Sequence, residues 1–84
     1  MKTLYSFYDR IAGVYSAPFV GERKEAVIRG VKLAISQGGQ QPWQIYPDDN
    51  DLYALAEMDD MTGRITAYDN PEFIIHLSDI KEAN

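Results

Sequence analysis

Residues 52–68 read Leu52-Tyr53-Ala54-Leu55-Ala56-Glu57-Met58-Asp59-Asp60-Met61-Thr62-Gly63-Arg64-Ile65-Thr66-Ala67-Tyr68. The stretch predicts a strand over 52–58 and a return strand over Arg64 to Tyr68. Asp59 to Gly63 form the turn, because Gly63 can adopt the positive φ that closes a hairpin. A hairpin of this length needs an apolar partner on one face, and the chain on either side has to supply it.

The N-terminal side offers a second strand pair. Thr3 to Tyr8 is rich in aromatics, a strand signature. Tyr5 and Phe7 point to one face, and Leu4, Ser6 and Tyr8 to the other. Asp9 to Gly13 make a turn, Val14 to Ala17 pair back, and Pro18 ends the pairing because it has no N–H to donate. Residues 22–36 are the clearest helix. Val27, Ile28, Val31, Ala34 and Ile35 fall on a single face, with Glu25, Arg29 and Lys32 opposite. Gly30 sits in the helix interior, where glycine costs about 1 kcal/mol against alanine. Leu33 lies off the main apolar face.

Residues 37–50 read as a loop whose Trp43, Ile45 and Tyr46 pack back onto the sheet. After the hairpin, Asn70-Pro71-Glu72 has the form of a helix start, an N-cap followed by proline. Phe73, Leu77 and Ile80 keep helical spacing, while Phe73-Ile74-Ile75 suits a strand equally. The order β-β-α-β-β plus a short C-terminal element predicts one α+β domain over residues 1–84. A small antiparallel sheet would carry the main helix on one face. So small a domain buries little surface and gains from oligomerisation, a symmetric dimer being the simplest form.

Composition removes several kinds of chemistry. There are no cysteines and one histidine among 84 residues. That excludes a disulfide scaffold, a thiolate zinc site, a cysteine nucleophile and a histidine metal site within one chain. His76, inside the apolar stretch Ile74–Leu77, reads as structural. Gly38-Gly39 lacks the lysine of a phosphate loop. Asp48, Asp49 and Asp51 do not form a calcium loop, since Leu52 and Tyr53 stand where a ligand and a glycine belong. The expectation is a non-enzymatic protein with no cofactor. There is no signal peptide pattern and no membrane-length apolar run, so the chain is expected to stay where it is made.

The net charge of −5 is unevenly spread. Residues 1–36 carry six basic and three acidic side chains, and residues 37–84 carry two basic and ten acidic ones. Such asymmetry fits a polyanion surface on the basic half, head-to-tail pairing of unlike halves, or chance segregation. Within the basic half, Tyr5, Phe7, Tyr8, Tyr15 and Phe19 are interleaved with Lys2, Arg10, Arg23 and Lys24. The aromatics have two readings: the core of a tiny sheet, or a surface on which bases stack while cations hold phosphates.

Three segments, Tyr5-Ser6-Phe7-Tyr8-Asp9, Pro18-Phe19 and Glu57-Met58-Asp59-Asp60-Met61-Thr62-Gly63-Arg64, follow one another in this order. The set resembles the small nonstructural protein of gokushovirus-like phages of the Microviridae, the product of their open reading frame five. The resemblance implies a protein of the host cytoplasm that is absent from the virion. It also implies association with DNA during the switch to single-stranded genome synthesis and packaging.

The expected function is therefore single-stranded DNA binding without sequence readout, by a homo-oligomer. The candidate contacts are Lys2, Tyr5, Tyr8, Arg10, Tyr15, Phe19, Arg23 and Lys24. The alternative is a protein-interaction module that engages a phage or host replication protein through its acidic half.

Overall fold

The computed structural model describes residues 1–82. Strand β1 spans Lys2–Asp9, β2 Val14–Tyr15 and β3 Phe19–Gly21. Helix α1 follows over Lys24–Gln37, α2 over Pro42–Ile45, and a 3-10 turn over Pro47–Asp49. Strands β4 (Asn50–Met58) and β5 (Ile65–His76) form the hairpin, and α3 (Leu77–Glu82) ends the described chain. The sheet order is β2-β1-β4-β5, with β3 also on β1, and every pairing is antiparallel. The α+β class and the antiparallel sheet with its helix on one face are as the sequence predicts, but the element count is not.

Three differences have local causes. The strand expected over Val14–Ala17 ends at Tyr15, and a further short strand, Phe19–Gly21, follows it along the same side of β1. Ser16 stays attached to Phe7 twice: its N–H donates to Phe7 O at 2.8 Å, while its hydroxyl takes the place of a backbone acceptor for Phe7 N at 3.0 Å. Beyond Pro18 the chain re-enters, pairing Phe19 with Tyr5 and Gly21 with Thr3. The expected loop over 37–50 holds a one-turn helix instead. Gln41 and Gln44 cap it reciprocally, with proline at its start.

The helix start expected at Asn70-Pro71-Glu72 is absent. Strand β5 continues through these residues to His76, with 68–71 bulging out of register between the Ala56–Ala67 and Ala54–Glu72 pairs. Proline is tolerated there because β5 is an edge strand, so no neighbour asks for its missing N–H. The hairpin itself closes as predicted: Gly63 has φ +76°, and its N–H donates to Asp59 O at 2.7 Å.

The core lies on the Phe7 face of the sheet. Tyr5, Phe7, Leu52 and Ala54 meet Val31 of α1 and Leu77 and Ile80 of α3. Trp43 of α2 stacks on Phe7 with ring centroids 4.3 Å apart, a contact worth roughly 0.5–1.5 kcal/mol beyond its buried area. Leu52 and Leu77 are fully buried, each contributing about 1.5–3 kcal/mol. Trp43 thus packs back as expected of the loop aromatics, whereas Ile45 and Tyr46 stay exposed. All three helices occupy this one face, and among the described residues no helix lies on the other.

Candidate functional site

The uncovered face of the sheet carries a continuous row of rings. Directly paired residues in an antiparallel sheet point to the same side. The register pairs Tyr15 with Tyr8, Tyr8 with Asp51, Asp51 with His76, and Tyr53 with both Ser6 and Phe73. Tyr8 and Tyr15 have centroids 4.7 Å apart, Tyr15 and Tyr53 5.5 Å, Tyr53 and Phe73 5.7 Å, and Phe73 and His76 4.8 Å. The row crosses β2, β1, β4 and β5. Its central rings are half-buried, while Tyr15 and Phe73 at its ends are 42% and 46% exposed. A register shift between Leu52 and Tyr53 turns Phe73 onto this side, away from its near neighbour Ile75, which packs on the core.

One carboxylate anchors the β5 end of the row. Asp51 has a side chain only 5% exposed and accepts from His76 Nδ1 at 2.6 Å. Its second oxygen lies 3.5 Å from Arg10 Nε, and the Arg10 guanidinium also donates to the carbonyl of Asp48. A carboxylate can only accept, so Nδ1 carries the hydrogen. At the other end of the row, loss of water around Tyr15 pushes its hydroxyl above the ordinary tyrosine value, and the nearby Tyr53 and Tyr8 add to this.

The eight residues expected at a nucleic-acid site do not share a surface. Tyr8, Tyr15 and Arg10 lie on or beside the row. Tyr5 is corrected to the core: it is 3% exposed, its hydroxyl is pushed up by burial, and it cannot offer a face to a base. Phe19 belongs with it, stacked on Phe7 at 5.3 Å and Tyr5 at 5.9 Å. Lys2 stands six residues along β1 from Tyr8, roughly 20 Å away. It is held by Glu22 at 2.8 Å and Asp60 at 3.9 Å. Arg23 caps the start of α1 and Lys24 opens its first turn, both on the helix side of the sheet.

Tyr53, Phe73 and His76 were not expected at the site. The only sequence signal for them is the alternation of each strand, which leaves the register undetermined. No group of three or more His, Cys, Asp or Glu able to hold a metal ion occurs among the described residues. No helix among them is long and apolar enough to cross a membrane.

Compared with known proteins, the chain matches the family model described as Phage ORF5 protein over residues 2–80. No curated protein and no solved structure matches it. Since the family match spans all but the ends of the 84 residues, the chain belongs to the Phage ORF5 protein family.

Proposed function

We propose that this phage protein is a non-enzymatic accessory factor that binds single-stranded DNA by stacking bases on the ring row of its open sheet face. The row is the single observation that carries the reading. An antiparallel sheet with aromatics on its uncovered side is a physical solution to holding unpaired bases, and each stacked base contributes roughly 1–3 kcal/mol whatever its identity. Stacking needs no reactive group, so the reading is of a binder. Its setting would be genome replication or packaging of a gokushovirus-like phage of the Microviridae, in the host cytoplasm and outside the virion.

The distribution of charge refines the mechanism. Arg10 is the cation beside the row, and it is engaged by Asp51 and Asp48. Arg23 and Lys24 lie across the sheet. Phosphate contacts therefore contribute little, and the salt dependence of binding should be shallow, in the range of one or two released counterions. Fluorescence anisotropy of a labelled oligothymidylate tests this. Binding that exceeds duplex binding and quenches tyrosine emission is expected. No anisotropy change at low salt would overturn the reading.

A second reading has one observation in its favour. Asp48, Asp49 and Asp51 of the acidic half gather around Arg10 beside the row, a corner that suits a basic protein partner better than a phosphate chain. A phage or host replication protein would then cover the sheet face. Binding of oligonucleotide in competition with such a partner, at the same tyrosines, would separate the two readings.

A further inference from the structure

The centre of α1 is open where a helix is normally filled. A Cβ built on Gly30 would meet nothing within 4 Å, so the chain's own packing does not require glycine there. Two depressions meet at this residue. One, about 340 Å³, is walled by the apolar Phe7, Phe19, Val20, Val27, Val31 and Trp43. The other, about 500 Å³, adds Leu33 and is rimmed by two guanidinium side chains, Arg23 and Arg29, and one carboxylate, Glu25, a net positive edge. Val20 and Leu33 are more than half exposed. Among the described residues neither arginine has an acidic partner. This is an apolar hole with a basic rim, on a protein whose net charge is −5.

A projecting apolar residue lies at the opposite end of β1. The turn after β1 projects Ile11, 79% exposed, between two fixed points. Asp9 Oδ1 accepts from Ile11 N at 2.9 Å and Ala12 N at 3.0 Å. Arg10 N donates to Asp49 O at 2.9 Å, tying the turn to the loop that bears the exposed Tyr46. Asp9 and Asp49 rim this corner with negative charge. The more exposed Met61 tip is a poorer match, because its Asp60 is already neutralised by the N-terminus at 3.6 Å and Lys2 at 3.9 Å.

We propose that the Ile11 turn of one copy docks into the Gly30 groove of a second, placing Asp9 and Asp49 against Arg23 and Arg29. The contact is heterologous: each contact leaves one copy with a free knob and the other with a free hole, so association continues to a ring or an open chain rather than stopping at a symmetric dimer. Paired α1 helices would instead oppose like charges, since Arg23, Lys24, Arg29 and Lys32 outweigh Glu25 on that helix. Unlike charges across the contact set its register, and the apolar knob supplies the part that salt does not screen. The ring row takes no part.

Sedimentation velocity on the full chain tests the proposal. The wild type should grow with concentration and shrink at about 0.5 M salt, where the Debye length is roughly 4 Å. Ile11→Asp removes the knob, and Gly30→Gln blocks the hole while improving helix propensity. Each variant alone should sediment as a monomer. Gly30→Gln should also melt higher than the wild type, which separates lost docking from lost folding. Mixed, the two variants should form a one-to-one dimer, because one intact hole and one intact knob remain. Met61→Ser should associate like the wild type. A wild type that stays monomeric throughout would overturn the proposal. So would association of either variant alone, failure of the mixture to pair, or loss of association in Met61→Ser with Ile11→Asp unaffected.

Discussion

His76 donates through Nδ1 to Oδ1 of Asp51 at 2.6 Å, across the last pairing of the β4–β5 hairpin. The bond joins a nearly buried carboxylate to a half-exposed ring that also abuts Phe73. The two partners should therefore respond unequally to removal. Asp51→Ala leaves Arg10 and His76 without their shared acceptor and should cost about 1–3 kcal/mol in denaturant unfolding. His76→Ala leaves Arg10 on the carboxylate and admits water, so it should cost less than about 1 kcal/mol. Equal losses would mean the carboxylate is not the organising group.

Two glycines should respond in opposite directions to alanine. At Gly30 the new Cβ enters open space in a helix, so Gly30→Ala should stabilise by about 1 kcal/mol. At Gly21 it would collide with Val27 Cγ2 and come within 3.1 Å of Tyr5 Cε2. Val27 is stiff at χ1 and Tyr5 is held in the core, so Gly21→Ala should destabilise by about 1–3 kcal/mol. Denaturation midpoints of the two variants, with an unchanged m-value, check both signs.

The ring row makes a prediction about nucleic acid. Phe73→Ala and Tyr15→Ala should each weaken oligothymidylate binding by about 5- to 150-fold, the value of one stacked base. Arg23→Ala should leave affinity and salt slope unchanged, since Arg23 lies on the helix side. Tyr5→Ala should act through stability instead, costing about 3–5 kcal/mol as a core truncation. An Arg23→Ala loss equal to that of Phe73→Ala would move the interface to the helix.

Alkaline pH should destabilise the fold. Burial raises the hydroxyls of Tyr5, Tyr15 and Tyr68 above the ordinary value of 10.0. A group with a raised folded-state value gives its full stabilisation below the unfolded value and loses it as pH rises through the folded one. The tyrosine contribution to stability should thus be constant below about pH 10 and fall above it. Phenolate absorbance should show part of the tyrosines titrating late and together with unfolding.

The hairpin from Leu52 to Tyr68 and the face of α1, and with them the mixed α+β class, were legible in the chain, because each element rests on residues close to one another in sequence. Gly63 marks its turn, and Val27, Val31 and Ile35 mark their helix face, whatever else the chain does. The site is a different kind of object. Tyr8 meets Tyr53 only because β1 pairs with β4 across more than forty positions, and Phe73 joins them only because a register shift turns it over. A strand's alternation says which residues share a side, but not which strand lies beside it or in what register. Likewise Tyr15 and Arg23 are near in sequence yet lie on opposite sides of the sheet. Local periodicity determined the hairpin and α1, and the non-local register alone decided which aromatics form a surface and which form the core.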